Sequence, residues 1–437
     1  MRSFLRRRAG RGASLGAAAG LVVVATSYLA AWLFGTTPLP DVLQTPILAA
    51  LPGPVFGFLI DNLQHAGKVA EETGLVVAIV TLGATVGIAV TIVSRNEAAH
   101  LEATDLSRRR ILQLVPLFIS GAALAVVGAR LLPAWYQALR PPEGGPGEVP
   151  PITPASSFYL VSKNFRDPIV VLNGWNLRVN GLVDRELQLG HDDLAAMQQA
   201  SEIVTLQCVS NPVGGRLMST GRFEGPRLVD VLSRAGPKPA ARHVAFRAND
   251  GYTESIPLNE LRPEMLVALM LNGSPLPNEH GFPARILIPG RYGMKGPKWL
   301  ESIELLERAP GGYWEAKGWN ANGLVKTISR IDVPADGATV SGPAITVAGI
   351  AFAGLRGISR VELSDNAGTT WRSADLDPPI SQFTWRIWRA SWQPRRGPFT
   401  LMVRATDGSG AIQDAHPANS FPDGSSGLHT IRVTVAS

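Results

Sequence analysis

The sequence predicts an α+β protein in three parts: N-terminal transmembrane helices, a mixed α and β domain, and a C-terminal immunoglobulin-like β-sandwich. Three observations carry that expectation. Uncharged apolar runs crowd the part before residue 133. A Pro/Gly-rich stretch, 138–157, then interrupts all periodicity. Beyond it, helical and strand patterns alternate to about residue 325, and from 326 only short strands between turn signals remain. The expected parts are therefore 1–137, 158–325 and 326–437, with 138–157 as the linker between the first two.

Ala13 to Phe34 is uncharged and long enough to cross a bilayer of about 30 Å. Gly74 to Val93 and Ile111 to Ala129 are further uncharged runs, giving three expected spans at about 13–34, 74–93 and 111–132. Val42 to Ile60 is apolar but holds Pro46, Pro52 and Pro54, which favours a packed or interfacial segment over a fourth span. Loop charge sets the orientation. Arg2, Arg6, Arg7, Arg8 and Arg11 hold the N-terminus inside, as Arg95 and Arg108 to Arg110 hold the loop before the third span. Everything after that span is expected outside the cytoplasm, in a multi-pass protein of the cell membrane. No intramembrane acid or histidine is expected, which disfavours transport. Ser107-Arg108-Arg109-Arg110-Ile111-Leu112-Gln113 also resembles a twin-arginine export signal, beside its plainer reading as an orienting Arg cluster.

In the stretch 138–157, Pro141, Pro142, Pro146, Pro150, Pro151 and Pro154 favour an extended, semi-rigid tether. In the next part, strands are expected at Trp175–Val183, Glu202–Leu206, Val244–Arg247, Ala284–Ile288 and Leu300–Leu306. Helices are expected at His191–Ala200, Arg227–Ala235 (stopped by Gly236) and Glu260–Leu271, the last broken by Pro263. The final part shows strands at Ile345–Ile350, Ser359–Ser364, Thr369–Ala374, Phe399–Ala405 and His429–Val435, the spacing of an all-β sandwich. The net charge of +6 owes much to the N-terminal Arg cluster and calls for no nucleic acid.

The chain has one cysteine, Cys208. That excludes an internal disulfide, a Cys-only zinc site and covalent c-type haem. A buried inert thiol, a nucleophile and a single soft metal ligand all remain open. The thiol follows the apolar run Ile203 to Leu206 and precedes Ser210-Asn211-Pro212 and Gly214-Gly215, so it stands where a strand gives way to a loop.

Three segments, in order, resemble the molybdopterin-binding domain of the sulfite oxidase family. They are Phe158 to Phe165, the Cys208 segment, and Glu279-His280-Gly281-Phe282-Pro283-Ala284-Arg285 running on to Pro289-Gly290-Arg291-Tyr292-Gly293-Met294-Lys295-Gly296-Pro297-Lys298-Trp299-Leu300. The tail, through Gly349 to Ala353 and Arg360 to Ser364, resembles that family's dimerisation domain. The likeness covers about residues 155–437. It implies a molybdenum–molybdopterin cofactor with Cys208 as thiolate ligand, a soft donor suited to the metal. It implies that Arg285 and Lys298 bind the cofactor phosphate, that Gly296 in the run Gly293 to Lys298 lets backbone N–H groups approach an anion, and that Asn164 and His280 orient the cofactor. Arg356 resembles an arginine reaching the site from the β domain. Beside these stand plainer readings: Arg285 and Lys298 as surface cations, His280 as a turn cap, Tyr292 and Trp299 as core. Arg247 and Arg291 divide evenly between function and surface.

Typical sulfite oxidases carry arginine soon after the ligand Cys; here Pro212 and Val213 stand there. The resemblance therefore implies oxygen-atom transfer on a small-molecule substrate that need not be sulfite. With no Cys-x-x-Cys-His and no histidine in the expected spans, electrons are expected to pass through an external electron-transfer protein or a quinol-linked partner. A homodimer is implied by the tail. The rival expectation is a cofactor-free, membrane-tethered binding or sensor module.

Overall fold

The computed structural model describes residues 2–34, 36, 38–43, 69–86, 120, 122–129, 131–132, 149–164 and 167–436. The chain divides into two compact units. One gathers the N-terminal helices together with Asn164–Arg166; the other holds most of the chain from Pro142 onward.

In the helical unit, the part of α1 (Arg2–Phe34) from Ala13 to Phe34 and α2 (Val69–Val86) are each long and apolar enough to cross a membrane. Gly20 lies so close to α2 that a Cβ there would stand 2.9 Å from the Ile79 carbonyl oxygen, and one on Gly83 would stand 2.3 Å from that of Gly16. Small residues let the two backbones touch, as in apolar helix pairs. Ala123, Val127 and Leu131, spaced four apart, pack with Val24, Tyr28 and Val76. The second helix starts before residue 74 and so takes in Glu71 and Glu72, where acids suit the positive end of the helix dipole. Glu72 is buried and accepts a 2.8 Å hydrogen bond from the Tyr28 hydroxyl. The segment 44–60, residues 87–119 with the Arg108–Arg110 cluster, and the tether up to residue 148 lie outside the described residues.

The second unit begins with a mixed sheet. Its strands are β1 (Leu177–Gly181), β2 (Leu187–Leu189), β5 (His243–Ala248), β6 (Thr253–Pro257) and β11 (Leu300–Leu306), in the order β2-β1-β11-β5-β6, with β1 and β11 parallel. Between them in sequence lie β3 (Gln199–Gln207) and β4 (Met218–Pro226), which form a second sheet with β8 (Met270–Leu271) and β9 (Ser274–Pro275). A two-stranded pair joins β7 (Leu266–Ala268) to β10 (Arg285–Leu287). Helix α3 (His191–Ala195) is shorter than expected, because Gln199 already enters β3. Helix α4 (Leu228–Ala235) matches its expectation. Leu228, Val231, Leu232 and Ala235 form one buried stripe against the mixed sheet, each large side chain contributing about 1.5–3 kcal/mol on full burial. Gly236 ends it in a left-handed conformation (φ 71°). The helix expected at Glu260–Leu271 is not formed. Leu266, Val267 and Ala268 are all buried, and β7 runs beneath β4 while pairing with β10. A strand covered on both faces needs a continuous apolar run, which periodicity alone cannot tell from a helix.

The C-terminal part is β-rich. One sheet, β12-β14-β18-β17, comprises β12 (Ile328–Val333), β14 (Ile345–Phe352), β17 (Asp375–Leu376) and β18 (Arg386–Trp392). The other, β13-β20-β19-β15-β16, comprises β13 (Thr339–Val340), β15 (Ile358–Ser364), β16 (Arg372–Ser373), β19 (Gly397–Asp407) and β20 (His429–Val435). Val347, Ala351 and Trp388 from the first sheet share a core with Val361, Leu401, Val403, Ile431 and Val433 from the second. The expected Thr369–Ala374 strand survives only as β16. β18 was not expected, because Arg386 and Arg389 interleave its apolar residues.

Candidate active site

The turn between β3 and β4 presents Cys208, buried, with its backbone N–H on the Leu217 carbonyl at 2.9 Å and its sulfur 3.0 Å from the Ser210 hydroxyl. It opens on a cavity with about 900 Å³ of space free of protein atoms, including its solvent-facing mouth. Of the sequence-predicted residues, His280, Arg285, Gly296 and Lys298 line the same cavity. The β-rich domain and the extended segment do not bring the other two there. Arg356 is held by Asp407 (Nε to Oδ2, 2.8 Å), the Val325 carbonyl and the Thr327 hydroxyl. Asn164 sits half-buried in a bend just after the lining residue Lys163, and groups with the helical unit.

Arg285 opens β10 and is only 5% exposed. Its terminal nitrogens donate to the carbonyls of His280 (3.2 Å) and Gly296 (3.3 Å), its Nε has no partner, and no carboxylate pairs with it among the described residues. Burial pulls its pKa down to about 10. A buried guanidinium without a counter-ion is costly, and the cavity it lines is where an anion would relieve that cost. A phosphate suits the planar fork. Lys298 stands nearby, its Nζ donating to the Glu279 carbonyl at 2.8 Å and lying 4.3 Å from the centre of the Trp299 ring. Trp299 itself adopts φ +53°, a sparsely populated conformation for a bulky residue, and its indole N–H is fixed on the Asn278 carbonyl at 2.7 Å. Gly281 (φ 110°) and Gly296 make the turns possible: a Cβ on the first would crowd Lys298 and Arg285, and one on the second would fall 2.6 Å from the Ile286 oxygen. His280 is buried edge-on to Phe158. Burial, Arg285 and Lys298 together bring its pKa down to about 4, so it is neutral near pH 7.

Other lining residues were given no role by the sequence. Tyr159 stacks on Phe158 and lies over Gly293, where a Cβ would stand 2.6 Å from the phenol oxygen. Burial first, and the Cys208 sulfur second, push its hydroxyl well above the usual range, with Arg285 opposing. Tyr252 donates to the Met294 carbonyl at 2.6 Å. Trp314 and Trp319 close another wall, and the Trp319 indole N–H lacks a partner. Behind the turn at Gly293–Lys295, buried Lys295 bridges Glu254 (2.6 Å) and Glu315 (2.8 Å). Burial raises Glu254 to about 7, against the opposing charge of Lys295. Tyr159 and Lys295 fall inside the quoted motifs, whereas Tyr252, Glu254, Trp314, Glu315 and Trp319 lie outside them, so only the fold could gather the set.

A thiol and a cationic fork without a carboxylate partner, lining one cavity, define a class: a domain built to hold an anionic cofactor beside a soft ligand. Residues 164–314 match the oxidoreductase molybdopterin binding domain, and 325–421 the Mo-co oxidoreductase dimerisation domain. Mitochondrial sulfite oxidase of Mus musculus is 31% identical over 278 residues, 52% of this chain and 51% of that protein. The uncharacterized oxidoreductase YuiH of Bacillus subtilis (strain 168) is 33% identical over 179 residues, 40% of this chain and 88% of that one. The sulfane dehydrogenase SoxCD of Paracoccus pantotrophus shares the fold, with a TM-score of 0.57 and 20% identity over 64% of this chain and 80% of that one. The chain belongs to the sulfite oxidase family of molybdopterin oxidoreductases, whose cofactor is molybdenum–molybdopterin. It spans about half the length of the mammalian sulfite oxidases it matches.

Proposed function

We propose that this chain is a membrane-anchored oxidoreductase whose extracytoplasmic domain carries out two-electron oxygen-atom transfer on a small substrate. The observation that carries this reading is the buried, counter-ion-free Arg285 lining the same cavity as Cys208. In this reading the Cys208 thiolate holds the metal, Arg285 and Lys298 hold the cofactor phosphate, and the backbone at Gly296 and the neutral His280 fix its orientation. Asn164 would join them from the adjoining bend. The bound group supplies the redox chemistry, and the protein supplies position, charge and exclusion of water. Arg356 contributes to anion binding in this proposal only by leaving Asp407. The spans at about 13–34, 74–93 and 111–132 are the anchor, residues 138–157 the tether, 158–325 the catalytic domain, and 326–437 an immunoglobulin-like sandwich through which two copies pair. Electrons reach or leave the site through an external redox protein or a quinol-linked partner.

The substrate pocket supports a substrate other than sulfite. Pro212 and Val213 stand uncharged in the Cys208 loop where the family carries arginine, and Trp314 and Trp319 add apolar surface to the cavity lining. Purification of the full chain with metal analysis, followed by activity assays over sulfite, sulfoxides and nitrate, tests the proposal. About one molybdenum per chain with turnover of a neutral oxide supports it. Metal-free protein from a molybdenum-replete host that matures other molybdopterin enzymes overturns it.

A further inference from the structure

The loop from Cys208 to Leu217 is held in part by its own hydrogen bonds, the Cys208 N–H donating to the Leu217 carbonyl at 2.9 Å and the Cys208 sulfur lying 3.0 Å from the Ser210 hydroxyl. Within it, the Asn211 N–H donates to the Cys208 carbonyl at 3.1 Å, the Leu217 N–H to the Asn211 side-chain oxygen at 2.8 Å, and the Gly215 N–H to the Pro212 carbonyl at 2.8 Å. Further anchors come from the β-rich domain. Arg330 on β12 donates to the Gly215 carbonyl at 2.6 Å, and the Ser425 hydroxyl donates to the Asn211 carbonyl at 2.7 Å. Gly214 (φ 74°) lies flat on the His429 ring, where a Cβ would fall 2.2 Å from Cδ2. On the other side of the thiol, the Thr205 N–H donates to the Phe383 carbonyl at 3.0 Å, and the Thr205 hydroxyl accepts the Trp385 N–H at 2.9 Å. Cys208 is thus tied on both flanks to residues more than a hundred positions away in sequence.

The clamp is itself braced. Arg330 is 4% and Asp332 2% exposed, and they pair through Nε–Oδ1 at 2.8 Å and NH2–Oδ2 at 3.4 Å. His429 Nδ1 accepts the backbone N–H of Ile331, between them, at 3.0 Å. A buried ion pair recovers its desolvation cost only in part, so it is a poor device for stability alone. It does fix the direction of one N–H toward one carbonyl.

We infer that the β-rich domain is a positioning element of the catalytic centre: its Arg330–Asp332 pair, with His429 and Ser425, sets the course of the loop that presents Cys208. Arg330 is a positioning residue and not a catalytic one. The relevance to turnover rests on Cys208 being the metal ligand; the placement of the thiol can be tested without it.

Because Cys208 is the sole cysteine, its rate of alkylation in cofactor-free full-length protein reports the loop alone. Arg330→Met combined with Asp332→Asn removes the pair without stranding a charge. Loss of a charge-assisted contact corresponds to about a tenfold gain in loop opening, and so in alkylation rate. Ser425→Ala, which deletes one neutral hydrogen bond and should fold normally, is expected to raise the rate about threefold. Val361→Ala, in the sandwich core away from the loop, controls for general loosening and should leave the rate unchanged at a comparable fall in Tm. In cofactor-loaded protein the double variant should keep its molybdenum but shift the thiolate-to-metal absorption band. Wild-type alkylation rates in both the double variant and Ser425→Ala overturn the inference, as does an equal rise in Val361→Ala. If Cys208→Ser left the absorption band intact, the ligand reading would fail while the alkylation result still decided the clamp.

Discussion

At the scale of single residues, the proposed ligand Cys208 and the proposed phosphate-binding Arg285 predict different losses. Cys208→Ser replaces a soft thiolate with a hard, weakly acidic donor. Turnover should disappear while pterin content, measured as its released fluorescent derivative, stays near wild type; full activity in a metal-loaded variant would defeat the ligand assignment. Arg285→Ala should act the other way, lowering cofactor occupancy more than turnover per bound molybdenum. A lost charge-assisted phosphate contact costs on the order of 1.5–3 kcal/mol, tenfold or more in affinity. Full occupancy with slow chemistry would place Arg285 at the substrate instead. Both residues were legible because each sits in a contiguous motif beside glycines and prolines that have no other purpose. Tyr159, Tyr252 and Trp319 were not, since an aromatic residue reads as core until the fold opens a cavity beside it. Arg356 shows the converse. Its motif matched, but Asp407 lies close enough to take its guanidinium, and nothing in the local sequence announces that partner. The pairing also explains the Asp407 carboxyl: burial raises it, yet hydrogen bonds from Ser409 and Arg356 bring it well below the usual range.

Among the elements, α4 and β7 show where the apolar pattern speaks and where it misleads. α4 showed its four-residue apolar stripe and its terminal glycine, whereas β7, apolar throughout, imitated a helix. Three elements meet at the Glu254–Lys295–Glu315 cluster: β6, the turn Gly293–Lys295, and the segment after Gly312, whose N–H donates to Glu315 at 2.9 Å. The cluster holds two cavity walls, with Tyr252 and Asp250 the other ionisable groups on the β6 side. Glu254 is raised from an ordinary 4.5 to about 7 by burial and by Glu315, only partly offset by Lys295. Between those values the folded state holds more protons than the unfolded chain. Its contribution to stability is therefore best below about pH 4.5, declines as pH rises, and levels off above 7. Glu254→Gln removes that decline. Thermal unfolding of both proteins from about pH 5 to 7.5 should show the variant gaining on wild type as pH rises; a difference constant across that window would mean that Glu254 is ionised throughout.

For the whole molecule, order along the chain carries the argument: apolar runs, then a proline-rich tether, then a domain that must enclose a cofactor. A pocket lined by Tyr159, Cys208, Arg285 and Trp319, from four separate stretches of sequence, closes only when the domain is folded. An enclosed cofactor is easiest to place before the walls meet, which favours folding around it in the cytoplasm and export intact. The route proposed is the pair Arg108 and Arg109, whose surroundings resemble a twin-arginine export signal. Replacing both with Lys preserves the positive charge, so charge-determined orientation alone predicts unchanged topology. Dependence on the arginine pair itself predicts that the domain beyond residue 155 stays on the cytoplasmic side. Protease treatment of spheroplasts separates the two. The wild-type domain should be cleaved from outside, and the Lys-Lys variant should be protected until the cells are lysed. A variant that still displays a cleavable, molybdenum-loaded domain would show that the arginines serve only as charges, and that the walls formed by Tyr159 and Trp319 open far enough to admit the cofactor outside the cytoplasm.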